Sequence, residues 1–478
     1  MMRRFIQVFI LCFITASLIA QDNQLVCKLG FSFQISKNDN WGLNEPVVTE
    51  VVPGSPACES GLKVNDIILE VNGNGTFLKP AYTIMEWFDD VEASMSISIR
   101  NFESSFKQMV IKKDCRMANA ISEIQLTPVF AFYSLEDVQD REFVIPIKTN
   151  SNPEADFYNY RTYDFASYEG EFSNLDERIN AIFVRALSQM GLRHDEKDPD
   201  FIIQTHYSYQ SNPSFNSELL DVSSYSDTWR FDVRNNKMVK LPLYDPTVAV
   251  RVNDVMYDLE FGFRFYDRKF IEPGKSVVVY ESEVKEKLKD NYPLLDYLEM
   301  NLPLILNKFP YSKSESLGKY RVKFSRFNYT GVSYDINDLK TVVYVAPDSP
   351  AAKAGIVAGD VVTKVRGYSF NHNSRNLTEG YRRFIAETMK YRDQKTKYVD
   401  SSGFSNAMFW DISHYYDIAK EFENKKKYNS GFTYLFSFNQ YIDWEMARSI
   451  TFEVKRRGNA INFELVPELK RHSQILVE

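Results

Sequence analysis

VVTEVVPGSPACESGLKVNDIILEVNG, residues 47–73, has a second version in the same chain: TVVYVAPDSPAAKAGIVAGDVVTKVRG, residues 341–367. The two align without a gap at an offset of 341 − 47 = 294, and ten of the 27 positions are identical. The shared residues include Pro53/Pro347, Ser55/Ser349, Pro56/Pro350, Gly61/Gly355, Asp66/Asp360 and Gly73/Gly367. Self-similarity of this length means one structural unit used twice. Each copy opens on an apolar strand (Val47–Val52; Thr341–Ala346) that ends near a proline. Ser-Pro then starts a short helix, with Ser as N-cap and Pro at the first helical position. Gly61 or Gly355 stops that helix, where a left-handed residue is wanted. Asp66 or Asp360 makes a turn before a second apolar strand, which Asn72-Gly73 or Arg366-Gly367 closes.

Upstream of each block, a glycine between apolar or β-branched residues opens an alternating strand. The first reads Leu29-Gly30-Phe31-Ser32-Phe33, the second Thr330-Gly331-Val332-Ser333-Tyr334. Downstream come a helix-like stretch and two closing strands, Ser96–Arg100 with Phe106–Lys112 and Ser449–Arg456 with Ala460–Val466. From Gly73 to Ser96 is 23 residues and from Gly367 to Ser449 is 82, so the second copy carries an insertion at about 370–440, rich in Phe404, Phe409, Trp410, Tyr415, Tyr416, Tyr434 and Phe436. Such an insertion either lids the groove, occupies it, adds a contact surface or forms a packed excursion with its own small core.

Both regions, residues 25–115 and 318–467, resemble bacterial PDZ domains in the Gly-containing loop, the SPA…G(L/I)…D(I/V)(I/V)…V.G block and the closing strands. The resemblance implies a groove between a strand and a helix, where an incoming segment adds a strand by main-chain hydrogen bonds. The terminal carboxylate of such a ligand would sit on N–H groups of the glycine loop, where a Cβ would keep the main chain away from the anion. Carried onto this sequence, the peptide-binding residues expected are Leu29, Gly30, Phe31 and Phe33 in the first module and Thr330, Gly331, Val332 and Tyr334 in the second. The groove helix expected in the first module is Ala81–Asp89, with Tyr82, Met85 and Glu86 as liners. In the second it is Leu377–Thr388, with Tyr381 and Phe384, or else Tyr441–Ala447.

Residues 124–310 read as a separate block. Asp156–Phe165, Phe201–Tyr209, Asp258–Tyr266 and Ser276–Glu281 alternate as strands, and Phe231–Leu243 reads as a hairpin turning at Asn235-Asn236. Leu175–Met190 has helical spacing and Gly191 stops it. Leu294–Phe309 is a second helix that Pro303 should kink or split. YRTYDF, the helix ending in Met-Gly and DPDFIIQ resemble a domain of unknown function found in bacterial envelope lipoproteins, which implies a compact α+β module and no activity. The fold class expected is therefore multidomain, α+β and β-rich: two PDZ-like partly open barrels or sandwiches with short helices flanking a central α+β domain.

Residues 1–20 have the three parts of a secretory signal: Arg3 and Arg4, the apolar run Phe5–Ile14, and small residues up to Ala20. The run is short for a membrane span, so the mature protein is expected in the periplasm or at the cell surface, without an integral span. Without Arg3 and Arg4 the charge is 55 − 64 = −9, counted from 57 basic and 64 acidic residues. That excludes a basic nucleic-acid footprint. Three cysteines follow the signal: Cys27, Cys58 and Cys115. Cys27 and Cys115 bracket the first module and would pair if its terminal strands are neighbours; three reduced thiols are the alternative.

Catalytic chemistry finds no motif. GxSxG, HExxH and CxxC are absent from the sequence, Gly274-Lys275-Ser276 lacks the rest of a P-loop, and Asp400-Ser401-Ser402-Gly403 has the wrong spacing for an aspartic-protease loop. The five histidines have no metal-ligand spacing. No catalytic residue, metal or cofactor is expected. The functional expectation is an exported, non-catalytic scaffold that binds C-termini or extended segments of envelope proteins by strand addition, with two modules adding avidity. Its alternatives are an envelope peptidase or hydrolase with an unrecognised centre, and a purely structural assembly protein.

Overall fold

The computed structural model describes residues 25–477 apart from 53, 90–91, 167–172, 220–227, 236, 273–274, 311–316, 395–407, 409, 423–430 and 437–447. The expected signal peptide, the alternative groove helix Tyr441–Ala447, and Phe404 and Phe409 of the insertion lie outside the described residues.

The first repeat builds one sheet in the order Phe31–Ile35, Pro46–Val51, Ile67–Val71, Ser94–Arg100, Lys107–Lys112. Ser55 caps the helix Pro56–Glu59 by accepting from the Cys58 N–H at 3.3 Å. The turn after Ile67–Val71 has positive φ at both Asn72 (49°) and Gly73 (79°), as does its counterpart at Arg366 (52°) and Gly367 (77°). That is the turn sense that matches strand twist. Val48, Ile68, Val71, Ile84, Ile97, Ile99 and Ile111 close into a core of its own. Below it, Leu25–Lys28 pairs antiparallel with Asp114–Met117, and Cys27 faces Cys115 and is disulfide-bonded to it. Cys58 is a free, exposed thiol.

The second repeat keeps the same elements but divides them. Val342–Val345 pairs with Val332–Asp335, while Tyr368–Ser369, Val361–Val365, Ile450–Arg456 and Asn459–Leu465 form a second sheet. A single bridge from Thr341 to Val361 joins the two. The described part of the insertion contributes the helices Ser374–Thr388 and Tyr415–Phe422 and the short 3-10 segment Gly431–Phe436, which is wholly buried. It therefore belongs to the core of the second module, along with Phe384, Trp410, Phe432 and Tyr434.

The central block is a six-stranded sheet in the order Ile147–Ser151, Val278–Leu288, Tyr257–Asp267, Phe201–Ser211, Thr162–Phe165, Arg193–His194. Helix Asn174–Gln189 starts at a Ser173/Asp176 capping box and buries Ile179, Ile182, Phe183, Ala186 and Leu187 on one stripe. Gly191 follows at φ +94°. Two expectations fail here. Asp156–Phe165 is strand only over Thr162–Phe165, because the Asp200 carboxylate takes the N–H groups of Arg161 (2.7 Å) and Thr162 (2.8 Å) and holds the preceding chain in turns. Pro303 neither ends nor splits its helix, which runs unbroken over Leu294–Leu306. Leu302, Leu304, Ile305 and Leu306 are each at most 1% exposed, so burial carries the last turn past the missing donor.

A three-stranded sheet stitches the bodies together: Val138–Ile145, Gly318–Tyr329 and the C-terminal Glu468–Val477. Its middle strand places Tyr320, Val322 and Phe324 in the central core and Phe327 in the core of the second module. Residues from Ile124 to Leu135, expected at the start of the central block, belong elsewhere. Leu126, Phe130, Tyr133 and Leu135 pack in the second module's core, and Phe130 stacks on Phe432 at 4.3 Å. The reason lies in the residues just before them.

Candidate functional site: two glycine loops, one filled

The two glycine loops are built alike. Gly30 and Gly331 have φ of +81° and +90°, and a Cβ on either would meet the Cβ of Ser55 or Ser349 at 2.1 or 2.2 Å. Both positions therefore require glycine. The Gly30 carbonyl accepts from the Val52 N–H at 2.7 Å and the Leu29 carbonyl from the Ala57 N–H at 3.0 Å. Gly331 accepts from Ala346 at 2.8 Å and Thr330 from Ala351 at 2.9 Å. A bulge follows each loop, between Ser32 and Phe33 and between Ser333 and Tyr334. These matched bonds engage the carbonyls and leave two N–H groups per loop outside them: those of Leu29 and Gly30, and those of Thr330 and Gly331.

In the second module that pair is occupied by the protein itself. Ala120–Ser122 lies antiparallel along Val332–Asp335, with Ser122 opposite Ser333, Ile121 opposite Tyr334 and Ala120 opposite Asp335. Asn119 extends the pairing: its carbonyl accepts from the Ile336 N–H at 2.8 Å and its side chain donates to Asp335 at 3.0 Å. Arg116 donates to the Ser333 hydroxyl at 3.1 Å and lies over the Tyr344 ring. At the loop, Glu123 Oε2 accepts from the N–H of Thr330 (2.7 Å) and of Gly331 (3.0 Å). Oε1 accepts from the Thr330 hydroxyl (2.5 Å) and from the Tyr434 hydroxyl (2.7 Å), supplied by the insertion. Tyr434 is fixed in turn by Tyr334, 2.9 Å away oxygen to oxygen, and by Asn328, which donates to its carbonyl at 2.7 Å.

Glu123 is fully buried. Burial pushes its carboxyl above the ordinary value, while hydrogen bonds from Thr330, Tyr434 and Gly331 pull it back only in part. The chain leaves the groove at this residue because Ser122 caps the helix Glu123–Val129, donating its N–H to Gln125 at 3.0 Å. A strand-added segment thus ends in a carboxylate on the glycine loop, although the chain goes on.

Of the residues expected to bind peptide in the second module, Thr330 and Gly331 hold this internal carboxylate. Val332 (1% exposed) and Tyr334 (0%) lie beneath the internal strand, closed to any second segment. Tyr381 is 45% exposed on Ser374–Thr388, and its neighbour Phe384 is the one turned into the core, against Trp410 and Tyr133.

The first module has the same apparatus, uncovered. Phe31–Ile35 is an edge strand, and no described residue pairs along its outer side. The N–H groups of Leu29 and Gly30 have no partner among the described residues. Helix Ala81–Phe88 stands opposite. Tyr82 and Met85, expected as liners, are 68% and 56% exposed. The ring that reaches the strand is Phe88, edge-on to Phe31 at 5.2 Å and to Phe33 at 5.6 Å. Spacing from the buried Ile84 identifies it, since residues four apart share a helix face. A cleft of about 520 Å³ at the junction of first module and central domain is lined by Trp41, Asp66, Phe102, Met190, Pro303 and Ile475. Its Asp66 carboxylate already accepts from Asn101 (2.8 Å) and from the Lys63 N–H (2.9 Å).

Comparison with known proteins agrees with this architecture. Residues 47–81 match the PDZ domain family, and residues 147–311 match a domain of unknown function, DUF4136. The crystal structure of a PDZ domain protein from Parabacteroides distasonis superposes with a TM-score of 0.80 at 33% identity, covering 95% of this chain and 100% of that one. The chain belongs to the PDZ domain proteins. Two other solved structures overlap only locally. They are the HtrA3 PDZ domain bound to a phage-derived ligand (20% identity, 20% of this chain and 90% of that one, TM-score 0.18) and the photosystem II D1 C-terminal processing protease (15%, 37% and 41%, 0.18). A search of curated proteins finds no match.

Proposed function

We propose that this protein is an exported, non-catalytic scaffold of the cell envelope that captures extended protein segments in a single open groove, that of the first module. One observation carries the reading. The same loop-and-strand apparatus occurs twice, and the second copy holds a strand and a carboxylate where the first copy offers an unpaired edge and two unpartnered N–H groups. The second module is then structural: it clamps the linker that leaves the first. The avidity expected from two receptor modules is replaced by one receptor on a rigid frame. Export rests on residues 1–20, and no described helix is long and apolar enough to cross a membrane.

The test uses residues 21–478 and a library of fluorescent peptides with free C-terminal carboxylates, with copies N-methylated along the backbone. Binding near micromolar that N-methylation at alternate positions abolishes supports strand addition. Binding indifferent to N-methylation overturns it, as does the absence of binding both by these peptides and by capped internal segments. Export is tested by fusing residues 1–24 to a reporter that is active only outside the cytoplasm; an inactive reporter refutes it.

A further inference from the structure

We infer that the open groove of the first module recognises an internal segment through a glutamate side chain, in the apolar–x–Glu register that the protein's own linker displays in the second module. The inference rests on the single-groove reading above and names the ligand that groove takes.

The second module supplies a template in the same chain. Its occupant is Asn119-Ala120-Ile121-Ser122-Glu123, and no chain end is involved. One carboxylate oxygen of Glu123 spans both loop N–H groups, the two donors a terminal carboxylate would use. Two residues before it, Ile121 packs against the core. The peptide then turns away from the sheet at Glu123, so the loop tolerates a continuing chain.

The backbone features that hold this occupant have counterparts in the first module. The register Ser333, Tyr334, Asp335 becomes Ser32, Phe33, Gln34 at an offset of 331 − 30 = 301. The glycine conformation, the serine packed against it, the two bonded carbonyls and the bulge all match. Phe88, edge-on to Phe31 and Phe33, offers apolar surface to the ligand's apolar residue, and the helix Ala81–Phe88 and the loop before it carry further exposed apolar side chains. Phe77, Leu78, Tyr82 and Met85 are each more than half exposed (57%, 66%, 68% and 56%). Exposed apolar side chains gathered on one short stretch of chain, residues 77–85, fit a binding face.

Two differences set the affinity. Leu29 stands where the second module has Thr330, and the Tyr434 hydroxyl has no counterpart in the shorter first module. The carboxylate there meets two donors instead of four and stays near solvent, which suits an exchanging partner.

The probe is the decapeptide of residues 117–126, MANAISEIQL, acetylated and amidated so that it has no terminal charge, with a twin carrying Gln for Glu. The chain 21–478 is titrated with both by fluorescence polarisation, and amide exchange locates the site. The expected result is that the Glu peptide binds at least tenfold tighter than its Gln twin and slows exchange over residues 29–35. If the twins bind alike or neither binds, while free-carboxylate peptides bind and protect residues 29–35, this inference falls and chain-end capture stands. If no peptide of either kind binds, both readings fall. Protection at 330–336 in place of 29–35 also overturns the inference, since the internal strand would then be the one displaced.

Discussion

Removing the Glu123 side chain tests whether the second module is closed by its own linker. Glu123→Ala leaves the N–H groups of Thr330 and Gly331 with no acceptor, at a place that is fully buried. An orphaned buried donor costs about 1–3 kcal/mol. The two hydroxyls on Oε1 are less exacting, because Tyr434 already faces Tyr334 and a hydroxyl can rotate. Against the loss stands relief from burying a carboxylate, which the raised proton affinity of Glu123 signals. The balance is a loss of about 2–4 kcal/mol. Glu123→Gln keeps an acceptor for the two N–H groups and turns its NH₂ toward hydroxyl oxygens that can accept, so it should cost only about 1 kcal/mol. Amide exchange is the suitable assay, because a multidomain chain has no single unfolding free energy. At about 1.4 kcal/mol per decade, Glu123→Ala should speed exchange at Thr330, Gly331 and Ile336 roughly thirty- to several-hundred-fold, and Glu123→Gln by less than about tenfold. Exchange unchanged in Glu123→Ala, or faster in Gln than in Ala, refutes the clamp.

The proton affinity of Glu123 is raised in the fold, so its docking is firmest below the ordinary carboxyl range and weakens as pH rises through the elevated value. Protection at Gly331, corrected for intrinsic rates, should fall with pH in the native protein and stay flat in Glu123→Gln. The repeated aspartates should titrate apart. Burial lifts Asp66 to about 6; burial also pushes Asp360 upward, but the hydrogen bonds from Arg456 and from the Val357 N–H, with the Arg456 charge, together outweigh it and hold Asp360 below its ordinary value. The first module should therefore lose about 3 kcal/mol of stability between pH 4 and pH 6, a loss that Asp66→Asn removes; carboxyl NMR shifts check both sites. Reducing Cys27–Cys115, which closes a loop of sequence separation 88, should lower the first module's stability by about 2–5 kcal/mol, read by urea unfolding with and without reductant. Equal midpoints would mean the paired strands hold without the bond. Gly30→Ala should cost more than about 2 kcal/mol, because a Cβ there meets both a left-handed backbone and Ser55; a neutral outcome would show that the loop rearranges.

What could be read from sequence was what short-range chemistry writes there. Ser-Pro caps, Gly61 and Gly355, the Asn72-Gly73 turn and the alternating strands are each decided within a few residues, and both copies carry them. The occupant of the second groove was not legible. Glu123 and Gly331 are 208 positions apart, and nothing local distinguishes Ser-Glu at 122–123 from any helix start. That is also why the block from Ile124 onward read as the beginning of the central domain. Phe88 was missed in favour of Tyr82 and Met85 because an eight-residue helix leaves its rotation undecided until Ile84 is seen to be buried. The strand expected over Asp156–Phe165 lost its first half to Asp200, a side chain 38 residues downstream of Thr162.

The linker that fills the second groove leaves the disulfide-bonded strand Asp114–Met117, and its groove strand begins at Ala120, three residues later. A ligand tethered so briefly has an effective concentration of about millimolar. Against a groove of roughly micromolar affinity, that keeps it seated about a thousand times more often than not. A free peptide at cellular levels would compete in vain. The second groove behaves as a lock whose key is part of the same chain, while the edge strand of the first keeps its outer side free of any described residue.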